Sequence, residues 1–154
     1  MDNYIKQYKI GFSLFGLIAF LLQELPYLPW LMCPPKNNPL ENNIPQNVFL
    51  GTIEKIGGVL TVALLMLVIQ KFNTKKDFKN KYFLIAISCL IIYYVCWILY
   101  CNGITNVWLI IIGLTAIVPM YYFFVAMWLK NYIAVIASIL FFIGHTISNI
   151  INYV

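Results

Sequence analysis

Five apolar runs, roughly residues 8–30, 48–70, 82–101, 105–128 and 131–153, fill most of the 154 residues and constrain the fold more than any other feature. A helix needs about 20 residues, at about 1.5 Å each, to cross a hydrocarbon core of about 30 Å, and every run is long enough. The chain is 62% hydrophobic and only 10% charged, whereas soluble domains carry about 25% charged residues. The expected fold class is all-α: a polytopic integral membrane bundle of five transmembrane helices, one membrane domain over 1–154. Only Leu129, Lys130 and Asn131 part the last two runs. A single helix through that point would be about twice the span needed, so a turn is expected there.

Orientation follows from lysines close to the span ends. Lys6 and Lys9 precede the first run, Lys71, Lys75, Lys76, Lys79 and Lys81 fill the loop 71–81, and Lys130 sits in the last turn. The opposite ends carry only Lys36 and Lys55, near Glu41 and Glu54. This predicts a cytoplasmic N-terminus, an outside C-terminus and an extracytoplasmic segment 32–47, MCPPKNNPLENNIPQN. Trp30, Tyr100 and Trp108 then flank the outer boundary, and Tyr82 and Trp128 the inner one, as an aromatic belt requires. Lys6 and Lys9 before an apolar run give the outline of a signal peptide. QELPYLPWLMC follows without a small-residue cleavage site, so the segment reads as a retained helix. The chain has no arginine and is rich in Asn, Ile, Tyr and Phe. That bias suggests an AT-rich genome, and hence a bacterial cytoplasmic (plasma) membrane as the location. The net charge of +5 does not imply nucleic acid, because five of the ten lysines share one loop. Membrane lipid is the partner they imply.

Polar residues at depth locate a candidate site. The first run is apolar only from Ile10 to Leu22, so crossing must draw Gln23 and Glu24 into the outer third of the membrane. Pro26 cannot donate to the carbonyl of Leu22, and Pro29 repeats the fault, so a kink is expected. In the second run Glu54 and Lys55 fall at the outer boundary, either as a ligand group or as an interfacial pair reaching for water. His145, Ser148, Asn149 and Asn152 are spaced to share one helical face, as are Cys89, Tyr93, Cys96 and Tyr100. Ionisable residues inside a membrane face the bundle interior and mark sites, although polar side chains also serve as interhelical glue. The expected ligand-binding set is Glu24, Glu54, Tyr93, Trp97, Tyr100, His145 and Asn149, around an outward-opening pocket.

Other chemistry finds little support. Cys33, Cys89, Cys96 and Cys101 form no CxxC, although Cys33 and Cys101 share one face and form a candidate pair. Glu24, Glu54 and His145 have the donor types for zinc but no ligand spacing, so no metal and no cofactor are expected. No nucleophile elbow or phosphate-binding glycine loop is present, and catalytic residues cannot be assigned. Pro119 should kink the fourth helix. Gly57-Gly58 and Gly11/Gly16 are positions where helices can approach closely.

Three functions fit these residues. The first is binding or transport of a small cationic or amphiphilic ligand, with Glu24 as counter-charge and Tyr93, Trp97 and Tyr100 for cation–π contact. The second is an accessory, immunity or sensor protein that contacts a membrane-protein partner, a second copy or an extracellular peptide through the 32–47 segment. The third is a membrane enzyme pairing His145 with a glutamate. The proline-rich segment itself reads either as a solvated connector or as a semi-rigid lid with Lys36 or Glu41 dipping inward.

Overall fold

The computed structural model describes residues 7–32, 34–71 and 76–154. Asp2, Lys6, Cys33, Lys75 and the Asn42 side chain lie outside the described residues, and so does the Cys33–Cys101 pairing. The chain is all-α and 75% helical, with five helices long and apolar enough to cross a membrane. In order these are the broken span Leu14–Met32, made of α1 (Leu14–Glu24) and α2 (Tyr27–Met32), then α3 (Val48–Leu67) and α4 (Lys81–Cys101). The fourth span, Leu109–Leu129, opens as a π-helix over Leu109–Ala116 and continues as α5 (Ile117–Leu129); α6 is Tyr132–Tyr153. A short 3₁₀ turn, Pro39–Asn42, lies in the proline-rich segment.

Two span limits differ from expectation. Residues 8–10 and 68–70 are not helical: β1 (Tyr8–Ile10) and β2 (Val68–Gln70) pair antiparallel, Tyr8 opposite Gln70 and Ile10 opposite Val68. The reason lies in the orphan carbonyls at the end of α3. Gly11 N–H donates to Leu67 O (3.0 Å) and Ser13 N–H to Met66 O (2.7 Å). Asn131 Nδ2 donates to both Leu64 O and Val68 O. A chain end that supplies these donors must run extended past α3 before its own helix begins. Ser13 then caps α1, its Oγ accepting from Gly16 N–H. Hydropathy cannot see this, because Val68-Ile69 is as apolar as the helix before it.

The turn at Lys130 is where the lysine predicts it. Lys130 is left-handed (φ 56°, ψ 33°), and Asn131 N–H reaches back to Ala126 O. Asn131 Oδ1 caps α6 by accepting from Ala134 N–H. The same device starts other helices: Asn47 caps α3, Asn80 caps α4 and Asn106 Oδ1 accepts from Leu109 N–H. Pro119 lies just past the π-helix, where Ile117 N–H bonds Ile112 O, five residues away.

The fourth span is the centre of the bundle. It is apolar on every side, as a fully enclosed helix must be, and 67% of its most apolar stretch is buried, against 22–33% for the others. The outer surface is a field of large apolar side chains, such as Ile91, Ile98, Ile112 and Ile136, each at least 59% exposed. So much exposed hydrocarbon suits lipid, not water, as the surrounding solvent. We call the end carrying residues 34–47 the loop end and the end carrying Lys71, Lys76, Lys79, Lys81 and Lys130 the lysine end.

Candidate functional site

The break between α1 and α2 builds the first part of the site. Pro26 leaves Leu22 O without its helical donor, and Tyr94 OH from α4 replaces it at 2.6 Å. Gln23, one residue on, is 5% exposed and bridges two spans. Its Nε2 donates to Tyr93 OH (3.0 Å), and its Oε1 accepts from Tyr122 OH (2.7 Å). Tyr121 OH donates to Ala19 O one turn away (3.1 Å). A primary amide suits this position because it offers a donor and an acceptor without charge. Gln23 and Tyr122 were not among the residues expected in the site. The available signal was a lone neutral amide held at depth beside a proline break, with a Tyr-Tyr pair in the otherwise apolar fourth span.

The second part is a pair. His145 Nδ1 and Glu54 Oε1 are 2.9 Å apart, with 21% and 22% of their side chains exposed. Two glycines permit it. A Cβ on Gly57 would lie 2.8 Å from the backbone of Phe141, and one on Gly144 would lie 2.6 Å from the backbone nitrogen of Glu54. The α3 and α6 backbones therefore touch where Glu54 must reach His145. The two atoms are at hydrogen-bond distance, and the tautomer of the ring sets which of them donates. Glu54 is thus turned to His145, not to an interfacial Lys55 pair.

The third part is the proline-rich segment, which is tied down by side chains. Asn38 Oδ1 accepts from Tyr100 OH (2.7 Å) and Trp30 Nε1 (3.2 Å), and Leu40 N–H donates to Tyr100 OH (3.2 Å). Asn43 Nδ2 donates to Asn149 Oδ1 (2.8 Å), while Asn43 Oδ1 accepts from Asn152 (2.6 Å). Asn149 in turn donates to His145 O (2.8 Å), so the segment is linked to the histidine helix through amides. Lys36 and Glu41, the residues expected to dip inward, are exposed; Asn38 and Asn43 hold the segment instead. An amide satisfies buried backbone and side-chain partners without the desolvation cost of a charge.

Between these parts lies a cavity of about 410 Å³ toward the loop end. Gln23, Glu24, Tyr27, Tyr93, Tyr122 and His145 supply its polar and aromatic wall, with Gly58, Val62, Leu114, Val118 and Phe141 completing it. Of the seven expected residues, Glu24, Tyr93 and His145 line it. Glu54 and Asn149 stand behind His145. Trp97 is 4% exposed in a ring cluster with Tyr27, Trp30 and Tyr93, and Tyr100 is 0% exposed and holds the segment above; neither borders the cavity. The Glu24 carboxylate makes no hydrogen bond or ion pair among the described residues. No three His, Cys, Asp or Glu side chains converge on a metal-sized point among those residues.

The fold and the apolar exterior define a multi-pass membrane protein with an aromatic, carboxylate-bearing cavity near one end. No family model, no curated protein and no solved structure matches the chain.

Proposed function

We propose that this chain binds, and in that capacity moves or senses, a small cationic or amphiphilic ligand in the cavity beside Glu24. The unpaired Glu24 carboxylate on an aromatic wall carries the reading. An anion held near hydrocarbon without an internal partner is costly. A cationic ligand would supply the missing charge, with the rings of Tyr27, Tyr93 and Tyr122 as cation–π surfaces. About 410 Å³ is the volume of a small-molecule site. In this reading the loop end, with the amide-tied segment 34–47, faces outward, and the lysine end faces the cytoplasm of a bacterial cell.

The test is thermal unfolding in detergent with a panel of quaternary ammonium ions, polyamines and cationic amphiphiles. At least one should raise the Tm of the wild type, and Glu24→Gln should weaken that ligand about tenfold or more, the loss of one desolvated charge contact. No shift across the panel, together with an unchanged Glu24→Gln protein, rejects the proposal.

The His145–Glu54 pair favours a second reading, a membrane enzyme with His145 as general base and Glu54 as its orienting group. An intact cellular phenotype in His145→Ala would remove it. The accessory-protein reading gains less support, because the amides that would greet a partner are already bonded to the chain's own helices.

A further inference from the structure

The amide of Gln23 serves two phenols and leaves one proton over. A primary amide brings one acceptor oxygen and one donor nitrogen, whereas each hydroxyl can both donate and accept. Tyr122 OH gives its proton to Gln23 Oε1 (2.7 Å), and Tyr93 OH accepts from Gln23 Nε2 (3.0 Å). The Tyr93 O–H proton therefore has no acceptor among the described residues. Turning the amide over exchanges the roles of the two tyrosines but not the result. One phenol must donate to the amide oxygen, and the other accepts from the nitrogen and keeps its proton. Tyr93 is 2% exposed and Tyr122 1%, so neither turns to bulk water, and both border the cavity that Glu24 lines. Tyr27, the third tyrosine of that wall, is 40% exposed and has no such constraint. A buried hydroxyl takes a partner for its proton, and here the partner has to come from the cavity.

We propose that the ligand of this cavity is a small monocation carrying a neutral oxygen acceptor on a short arm, as in an amino alcohol or its ether. Its cationic group faces Glu24 and the rings, a placement that rests on the binding reading above. Its oxygen accepts from the spare tyrosine proton, which is that of Tyr93 in the structure. The acceptor is neutral because the wall offers no lysine to a second anion, and a carboxylate would join Glu24 and stand near Glu54. A polyamine answers Glu24 but brings only donors, so it leaves the hydroxyl unmet.

The experiment is isothermal titration calorimetry on the full chain in detergent, with (2-methoxyethyl)trimethylammonium against butyltrimethylammonium. The two ions share length and charge and differ by an ether oxygen in place of a methylene. The ether accepts and cannot donate, so it reads the spare proton alone. Without a donor in the wall, the more apolar ion binds better. The wild type should instead bind the ether about fivefold more tightly, the gain from one net hydrogen bond. Gln23→Leu/Tyr93→Phe/Tyr122→Phe removes the spare proton and leaves no member of the trio unpaired, and it should reverse that order. A wild type that binds the butyl ion as tightly or more tightly overturns the inference, and that result needs no variant to fold. An ether preference that survives in the triple variant also overturns it, because the donor is then another group. Glu24→Gln separates this inference from the reading beneath it. Equal binding of the two ions, weakened alike by Glu24→Gln, rejects the oxygen and keeps the cation site; a wild type that binds neither ion rejects both.

Discussion

Gly144→Ala tests whether the close approach of α3 and α6 is what joins Glu54 to His145. The added Cβ would sit 2.6 Å from Glu54 N, 2.9 Å from Ile53 Cγ2 and 3.0 Å from Glu54 Cα, where ordinary contact begins at 3.4 Å. Two of those three atoms are backbone, so relief requires the helices to part by about 0.8 Å. Transmitted to the pair, that movement stretches 2.9 Å to about 3.7 Å, beyond hydrogen-bonding range. Gly58→Ala is the matched control. Its Cβ would meet only ring atoms of Phe141, the nearest at 3.3 Å, and the ring can turn aside. Both alanines gain up to about 1 kcal/mol of helix propensity. The difference between the variants therefore isolates the backbone clash, an overpacking cost of about 2 kcal/mol. Thermal unfolding in detergent should place Gly144→Ala about 4–8 °C below Gly58→Ala. Nuclear magnetic resonance of ¹⁵N-labelled histidine should show the Nδ1 signal shifting more in Gly144→Ala than in Gly58→Ala, where only the Phe141 ring packed on His145 has to adjust. Melting points within about 1 °C of each other, with an unmoved Nδ1 signal, would refute the role given to the glycine contact.

Two further perturbations probe other parts of the bundle. Gln23→Leu keeps the bulk but leaves Tyr93 OH and Tyr122 OH without their shared partner. About 2 kcal/mol of destabilisation is expected, largely restored in a Gln23→Leu/Tyr93→Phe/Tyr122→Phe triple variant, as chemical denaturation would measure. Burial first, and the like charge of Lys130 second, push the Lys76 ammonium below the ordinary lysine range. The unfolded chain then binds the proton more tightly, so stability rises as pH climbs from the folded pKa toward the unfolded value of about 10.4. Between neutral pH and about pH 10 the wild type should therefore gain stability relative to Lys76→Gln, as chemical denaturation across that range would measure. Parallel pH profiles for the two proteins would contradict the sign.

Much of the architecture is legible in residue order because each relevant signal is local. Span number follows from hydropathy, the last turn from Lys130-Asn131, and the break in the first span from Pro26. The shared face of His145, Ser148, Asn149 and Asn152 is likewise a matter of helical spacing, and the buried Ser148 and Asn149 fall on it. What escapes notice depends on partners distant in sequence. Gln23 is one amide among many until Tyr93 and Tyr122 arrive from two other spans. Gly144 is one small residue until the Glu54 backbone lies against it. Tyr100 and Trp97 carry the right chemistry for a cation site, but the aromatic cluster and Asn38 claim them first. Residues 8–10 look like the opening of a helix because the carbonyls that draw them out belong to α3.

The pairing of β1 with β2 has a mechanical meaning. The first span and α3 are fastened together at the lysine end by backbone bonds, reinforced by Gly11 to Leu67 and Ser13 to Met66. At the loop end the same two helices are bridged by a segment secured mainly through side chains of its neighbours. The main-chain clamp and the Glu24 and Glu54 carboxylates therefore lie at opposite ends of the two helices, so if the helices part, the clamp is the pivot and the carboxylates move most.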